Sequence, residues 1–183
     1  MKTVVILITL AVFMIPLYSC SGKSDSSKEK DVDYTSLDST WECDYLKLST
    51  NSNWEVKDNF ENDSASVEFS WMDNDHRYSI NCYFFHNDNF EKLTVSESEE
   101  RWKELQKYVK EDSDDYLKDA YIKDSFVKNG QAYLVTGGGP ISDYEIEFYG
   151  NKLHGTLHFY PSDDKDLEQT VLNIIDSITF YEE

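Results

Sequence analysis

The sequence predicts an α+β domain in which a largely antiparallel sheet is flanked by helices. β-rich runs occur in neighbouring pairs joined by turn sequences, and two further segments change to the helical period. The 183 residues provide one domain and a short appendage, because single domains commonly contain about 100 to 200 residues. We divide the chain into an export signal (residues 1–19), a tether (20–33) and one α+β domain (34–183).

The first β-rich stretch begins at Trp41. WECDYLKLS alternates in polarity and predicts one strand, and the polar turn NSNW then leads to Trp54. Two longer runs, SASVEFSWM and RYSINCYFF, are separated by DNDH, which is typical of a β-hairpin. These runs predict three early strands, the last two of them paired.

The period changes in LTVSESEERWKELQKYVKED. Ser96 and Glu99 have the spacing of a capping box, in which the two side chains bond to each other's backbone N–H groups. Trp102, Leu105 and Val109 recur at helical spacing. The segment therefore predicts a helix over residues 97–110 with one apolar face.

Four more strands are predicted as two hairpins. AYIKDSFVK and QAYLVTG flank Asn129-Gly130, a dipeptide that favours the positive φ angles of a type I′ turn. DYEIEFY and KLHGTLHFY flank Gly150-Asn151 in the same manner. Each hairpin is expected to add two antiparallel strands to the sheet.

A second helix is predicted in SDDKDLEQTVLNIIDSITF. Asp163 is the predicted N-cap, and the acidic residues of the first turn are favoured by the helix dipole. Leu167, Val171, Ile174 and Ile178 follow at helical spacing. We expect this helix to cover one face of the sheet.

The order of these elements resembles that of the PsbP-like family. The resemblance covers about residues 41–181 and is carried by YLKLSTNSNW, the mid-chain helix, VKNGQAYLV, IEFYGNKLHGTLHFY and the closing IIDSITF. It implies an α/β/α sandwich and a role of the kind found in that family: photosystem assembly, binding of a small GTPase, or service as a bacterial lipoprotein. It implies no catalytic residue, and a fold is transferred more safely than a function.

Residues 4–18, VVILITLAVFMIPLY, form an apolar run behind Lys2 that is shorter than the about 20 residues of a spanning helix. Such a run is typical of an export signal. Leu17, Ser19 and Cys20 match the lipobox of bacterial lipoproteins, whereas Tyr18 departs from it because that position is normally small. The resemblance implies cleavage before Cys20 and its diacylglyceryl modification; an ordinary secretory signal is the alternative.

A diacylglyceryl cysteine would hold the protein firmly on a membrane, because two acyl chains suffice for stable anchoring. The polar stretch SGKSDSSKEKDVD that follows Cys20 has no apolar periodicity and is expected to be a flexible tether. These features predict a protein at the extracytoplasmic face of the cell membrane.

The charge balance restricts the partners. Lys and Arg number 17 against 36 Asp and Glu, giving a net charge of −19. A field of this sign repels nucleic acid phosphates and anionic lipids and favours cationic partners. An aromatic content of 15% supplies the packing surface that disordered chains lack, so a folded acidic domain is expected.

Two cysteines remain in the predicted domain, and an exported chain permits a disulfide between Cys43 and Cys82. Cys82 alternates with Ile80 and Phe84 and is expected to point into the core. Cys43, in a strand of alternating faces, is expected on the face opposite to that of Leu46 and Leu48. The sequence does not decide between a disulfide and two buried free thiols.

No catalytic, metal-binding or cofactor residue is assigned. TGGGP, residues 136–140, lacks the Lys and Ser/Thr of a phosphate loop and is interpreted as a strand connection. The acidic clusters DNFENDS, DND and EDSDD lack an EF-hand pattern and are interpreted as solvated turns. His154 and His158 share a strand face but lie about 13 Å apart, and His76 and His86 are expected at the surface.

The aromatic residues are interpreted as core. The set comprises Trp41, Trp54, Trp71, Trp102, Tyr78, Tyr83, Tyr133, Tyr144, Tyr149 and Tyr160. If the protein has a binding platform, the tyrosines of the last two hairpins are the candidates. The resulting hypothesis is a non-enzymatic binding or accessory module for a protein or envelope component. The alternative is an exported hydrolase with an acidic carboxylate site.

Overall fold

The computed structural model describes residues 32–111, 120–138 and 144–181, with side chains up to residue 107 in the first helix. These ranges contain ten strands and two helices. In chain order they are β1 (Ser39–Glu42), β2 (Leu46–Thr50), β3 (Glu55–Glu61), β4 (Ser64–Asp73), β5 (His76–His86), α1 (Val95–Glu111), β6 (Tyr121–Lys128), β7 (Gln131–Gly137), β8 (Glu145–Tyr149), β9 (Leu153–Tyr160), α2 (Lys165–Ser177) and β10 (Thr179–Phe180).

The strands form two sheets. The larger sheet has seven strands in the order β3-β4-β5-β9-β8-β7-β6, and the smaller has three in the order β1-β2-β10. Every strand pairing within the described ranges is antiparallel. The prediction of a largely antiparallel α+β fold is therefore confirmed.

The three predicted hairpins are present. The β4–β5 turn uses Asn74 and Asp75 at φ 46° and 67°, and the β6–β7 turn uses Asn129 and Gly130 at 49° and 71°. These positive angles are those that a type I′ turn requires. In the β8–β9 turn the positive φ of 57° instead falls on Lys152, so that hairpin closes by a different turn.

The prediction of one strand across residues 41–49 is wrong. The chain turns at Cys43, whose N–H donates to the Leu46 carbonyl at 2.9 Å, and β1 pairs with β2 so that Trp41 faces Leu48. Burial shifts from an odd position at Trp41 to even positions at Leu46 and Leu48, which a single uninterrupted strand does not permit. Cys43 is consequently buried at the turn.

Strand β3 was not predicted from the sequence. It lies at the edge of the larger sheet and all its residues are exposed, so it lacks the alternation that marks half-buried strands. Besides its pairing with β4, it contacts Trp41, whose ring stacks on Phe60 at 5.9 Å and whose Nε1 donates to Asp58 at 3.1 Å. The acidic cluster that begins at Asp58 thus includes the end of a strand.

Helix α1 begins earlier than predicted. The capping box is formed by Thr94, whose N and Oγ1 donate to Glu97 at 2.8 and 2.7 Å, and the predicted Ser96 and Glu99 box is wrong. Both pairs have the same spacing, so the sequence alone did not distinguish them. Trp102 is buried as expected, but Leu105 is 44% exposed. The side chain of Val109 lies outside the described residues.

Helix α2 has Asp164 as its N-cap, one residue after the predicted Asp163. The Asp164 carboxylate accepts from the backbone N–H groups of Asp166 and Leu167, each at 2.9 Å. Leu167, Val171 and Ile174 are buried in the helix, and Ile178 is buried as its C-cap. The predicted apolar stripe is confirmed.

The two helices pack on opposite faces of the larger sheet. Helix α1 contacts β6 and β7, with Trp102 clustered against Leu134. Tyr133 and Val135, which alternate with Leu134, belong to the main core together with α2 and β2. The smaller sheet and α2 therefore share one face of the larger sheet, and α1 covers part of the other.

Several predicted features lie outside the described residues: the export signal, Cys20, the tether up to residue 31, the EDSDD stretch beyond Glu111, and Gly139 and Pro140. Neither α1 nor α2, the helices of the described ranges, is both long and apolar enough to cross a bilayer.

Candidate functional site

Among the described residues, helix α1 covers only part of the sheet face on which it packs. Helix α1 lies over β6 and β7, and the neighbouring strands β8, β9, β5 and β4 present side chains beside it. Tyr83 and Phe85 of β5 are 40% and 46% exposed there. We call this surface the open face and define it by Tyr83, Phe85, Glu145, Glu147, His154 and His158.

Strand register explains why acidic and imidazole groups meet on the open face. The β8–β9 hairpin places Glu145 opposite His158 and Tyr149 opposite His154. On the other side of β9, Phe85 lies opposite His154. Because side chains two residues apart point to the same face, these cross-strand rows form one continuous surface.

A stack of rings organises one end of this face. The imidazole of His154 lies on the ring of Tyr149 with centroids 4.4 Å apart and planes at 5°. The guanidinium of Arg101 lies 4.8 Å from the centroid of that tyrosine ring. The Tyr149 hydroxyl donates to Glu147 at 2.9 Å. Helix α1 thus contributes a cation to a site otherwise built by the hairpin.

Glu147 is the most deeply placed carboxylate of the open face, with 12% of its side chain exposed. Its Oε2 lies 3.5 Å from His154 Nε2, a separation at which the imidazole nitrogen is close but makes no hydrogen bond. Burial raises the pKa of the neighbouring Tyr149 hydroxyl, and the Glu147 charge adds to that effect. The tyrosine therefore remains a hydrogen-bond donor.

The second pair consists of Glu145 and His158, whose Oε1 and Nε2 atoms are 3.7 Å apart. Burial raises the pKa of Glu145 to about 7, and the nearby charge of Glu147 contributes. Burial also lowers the pKa of His158. Because burial disfavours both charged forms, Glu145 can exchange a proton near neutral pH.

A cleft of about 510 Å³ opens at the edge of the open face. Its walls are the β3–β4 turn (residues 61–64), the end of β5 (residues 85–87), Phe90 and His154. Phe85 and His154 belong to both the cleft and the open face, so the two are continuous. We call it the end cleft.

The aromatic residues divide between core and surface. Trp41, Trp54 and Trp102 are buried, which confirms the core interpretation for them. Tyr144 and Tyr149 of the last hairpin are also buried, so they do not form a platform, whereas Tyr160 is 66% exposed. The exposed aromatic side chains of the open face come instead from β5.

Both cysteines of the domain are buried and are free thiols. Burial raises the pKa of the Cys43 thiol and raises that of Cys82 to about 12. Cys82 lies in the core as predicted, and Cys43 joins the same core through the β1–β2 turn. Burial therefore favours the thiol over the nucleophilic thiolate at both positions.

His154 and His158 share a face as predicted. His76 and His86 lie at the two ends of β5, and the ring of His86 stacks on Tyr45 at 4.9 Å. Within residues 32–111, 120–138 and 144–181, no three His, Cys, Asp or Glu side chains are arranged to hold a metal ion. The sequence did not identify Glu145 and Glu147; hairpin register combined with the alternation of EIEFY and LHGTLHF was the available signal.

The geometry provides hydrogen-bonding groups and exposed rings around two half-buried Glu–His pairs. Such a surface can bind a ligand, and one of its carboxyl groups can exchange a proton at neutral pH. Comparisons of this chain with protein-family models, with curated proteins and with solved structures find no match.

Proposed function

We propose that the protein is a non-enzymatic binding module that is anchored by a lipid on Cys20 at the extracytoplasmic face of the cell membrane. Its open face would bind a protein or envelope component. The observation that carries this proposal is the exposure of Tyr83 and Phe85 on β5, a strand inside the larger sheet. Aromatic residues are enriched in protein interfaces, where they bury apolar area while polar neighbours provide orientation.

The anchor is supported by the sequence of residues 4–20. An apolar run of export-signal length is followed by Leu17, Ser19 and Cys20 in lipobox spacing, and then by a polar stretch. A tether of this composition would keep the acidic domain in solution near the bilayer. Binding partners on the membrane would then be within its reach.

We also propose that the domain is a PsbP-like α/β/α sandwich. The supporting observations are the helices on opposite faces of an antiparallel sheet and the motifs from YLKLSTNSNW to IIDSITF. An experimental structure of this chain that superposes on a PsbP-like domain, strand for strand, tests the assignment. A different strand order in the superposition would contradict it.

The anchor is tested by replacing the cysteine. Cells that express the wild type or Cys20→Ala are labelled with a clickable fatty acid and fractionated. We expect label and membrane retention in the wild type and neither in the variant. Unlabelled wild-type protein, or a cleaved Cys20→Ala variant retained on membranes, would contradict lipid anchoring.

The binding surface is tested by photocrosslinking in intact cells. A benzophenone amino acid replaces Tyr83 on the open face or, as a control of similar exposure, Val56 on β3, which is 45% exposed. We expect a discrete adduct from position 83 and none from position 56. Equal adducts from both positions, or none from position 83, would contradict binding through the open face.

A second candidate is an exported hydrolase. It is favoured by the position of Glu145, a half-buried carboxyl with a pKa of about 7 located 3.7 Å from His158. A carboxyl that is partly protonated at neutral pH can act as a general acid. The test is hydrolysis of chromogenic glycosides and esters by the wild type and Glu145→Gln; turnover lost in the variant would favour the hydrolase.

A further inference from the structure

The end cleft has the composition of a site for a cation. Two acidic residues, Glu61 and Asp63, line its β3–β4 wall, and two phenylalanines, Phe85 and Phe90, line it as well. None of the described residues that line it is a lysine or an arginine. Within the described ranges, neither carboxylate lies at ion-pair distance from a cationic side chain.

The walls of the cleft are held by the fold. The His86 N–H donates to the Asp63 carbonyl at 2.7 Å, and the Asn87 N–H donates to the Lys152 carbonyl at 2.9 Å. The Tyr45 hydroxyl donates to the Asn62 carbonyl at 3.1 Å. Because these bonds fix the backbone from which the lining side chains project, the walls of the cleft need little rearrangement on binding, which lowers its entropic cost.

Lys152 lies beside the cleft wall at Asn87. Lys152 directs its Nζ to the Asp88 carboxylate at 3.1 Å, although its carbonyl supports the cleft wall at Asn87. The whole chain carries a net charge of −19. A cationic ligand is therefore attracted both by the field of the domain and by the two carboxylates of the cleft.

The rings favour a cation carried on an organic side chain. Phe85 and Phe90 lie around His154 with centroids 6.4 and 6.3 Å away, the first stacked and the second edge-on. A guanidinium or ammonium group gains attraction from the face of an aromatic ring, and its apolar stem can lie along a neighbouring one. The fold already contains such contacts, with Arg101 over Tyr149 and Lys123 over Tyr144.

We propose that the end cleft binds a basic side chain, arginine or lysine, presented by the partner protein. Glu61 and Asp63 would pair with the cationic nitrogens, and Phe85 and Phe90 would contact the stem and the charged plane. The inference rests on the proposed binding function and names the chemistry that this function would recognise.

The test uses the chain from residue 20 to residue 183, with Cys20→Ala so that no lipid is attached, and two short peptides that differ at one position only. One peptide contains arginine, and the other contains citrulline, which has a similar shape without the charge. Binding is followed by NMR shifts of backbone amides at about 0.15 M salt. We expect the arginine peptide to bind at least about fivefold more tightly and to shift residues 61–64 and 85–87.

Two charge-matched double variants separate the cleft from the general negative field. Glu61→Gln with Asp63→Asn removes both cleft carboxylates, and Glu55→Gln with Asp75→Asn removes two carboxylates from the other ends of β3 and the β4–β5 hairpin. We expect the first pair to weaken arginine-peptide binding by about three- to tenfold, and the second by less than about twofold. Equal effects of the two double variants would overturn the proposal.

The ring contribution is tested with Phe85→Leu, which keeps apolar bulk at a half-exposed position and leaves the core intact. We expect a loss of about two- to fivefold for the arginine peptide and no change in the urea midpoint. Equal binding of arginine and citrulline peptides overturns the cation site, even if position 83 still crosslinks a partner. If the arginine peptide binds selectively but position 83 does not crosslink, the cation site stands. Only the proposal that the partner binds across the wider open face is then contradicted.

Discussion

At the centre of the larger sheet, Gly155 leaves room for the ring of Phe148. The two residues lie opposite each other in the β8–β9 ladder, and a methyl group on Gly155 would overlap the Phe148 ring. Phe148 is fully buried and also contacts Tyr133 and Phe84. The ring therefore has little space into which it can move.

Gly155→Ala is expected to lower the free energy of unfolding by about 1–3 kcal/mol, the usual cost of overpacking a core. Urea denaturation followed by tryptophan fluorescence measures the effect. Phe148→Leu is the matched partner in a double-mutant cycle, because removal of the ring should abolish most of the additional cost of the alanine. Additive effects of the two substitutions would contradict a steric origin.

The titration of Glu145 makes the stability of the protein depend on pH. Its pKa of about 7 in the folded protein lies above the ordinary value of 4.5, so the folded state binds its proton more tightly than the unfolded state. The neutral Glu145 carboxyl therefore contributes to the free energy of unfolding. That contribution is fully present below about pH 4.5 and is lost as the pH rises towards 7.

Glu145→Gln, which does not titrate, is therefore expected to match the wild type near pH 4.5 and to exceed it in stability by about 1–2 kcal/mol above pH 7. This magnitude is reduced for the partial exposure of the side chain. Urea midpoints of both proteins across this range measure the difference. His158 and Glu147 remain in both proteins, so their own titrations largely cancel. A constant difference at all pH values would show that Glu145 does not titrate in this window.

For individual residues, the sequence predicted the direction of a side chain better than it predicted the burial of that side chain. Alternation in LHGTLHF placed His154 and His158 on one face, and the structure confirms this. It did not show that Glu145 is partly withdrawn from water, because that depends on which side chains of neighbouring strands pack around it. Periodicity reports which way a side chain points, and only the packed fold determines what it meets there.

At the level of elements, helix α2 begins next to two aspartates, only one of which acts as its N-cap. Asp164 accepts two backbone N–H groups, whereas Asp163 was the cap predicted from the sequence. An N-cap to alanine substitution typically costs about 1 kcal/mol. The two aspartates carry the same charge at nearly the same distance from the helix terminus.

Asp164→Ala is accordingly expected to lower the free energy of unfolding by about 1 kcal/mol, and Asp163→Ala by less than about 0.5 kcal/mol. Chemical denaturation of the two variants side by side measures this contrast. Similar losses would indicate that the charge near the helix dipole, and not the capping hydrogen bonds, stabilises this end.

The elements that were predicted correctly carry strong local signals. Asn129-Gly130 and the DNDH turn require backbone angles that few residues adopt, so the hairpins around them could be recognised. Strand β3 has no such signal, because its side chains are exposed and its pairing with β4 supplies its structure. The division of WECDYLKLS into β1 and β2 was missed because a tight turn at Cys43 changes the burial phase.

For the whole molecule, the net charge of −19 predicts a stability that rises with salt. Like charges repel more strongly in the compact state than in the expanded chain, and the Debye length falls from about 30 Å at 0.01 M to about 8 Å at 0.15 M salt. Sodium chloride over this range is expected to raise Tm by about 2–4 °C, corresponding to about 1 kcal/mol in a domain of this size.

Thermal unfolding at the two salt concentrations and neutral pH measures this shift. Near the isoelectric point of 4.4 the same change in salt should have a much smaller effect, because the mean repulsion vanishes there. A decrease of Tm with salt at neutral pH would mean that attractive ion pairs outweigh the repulsion.

The sequence by itself determined the α+β class, most of the strand and hairpin order, the two helices and the acidic surface, because turn chemistry, period and charge are local properties of the chain. Only the tertiary structure decided that α1 packs on β6 and β7 while Tyr83 and Phe85 stay exposed on β5, that Glu145 and Glu147 meet His158 and His154 there, and that the β3–β4 turn closes a cleft with the end of β5. These are relations between segments distant in sequence, set by strand register and by the competition of side chains for buried space.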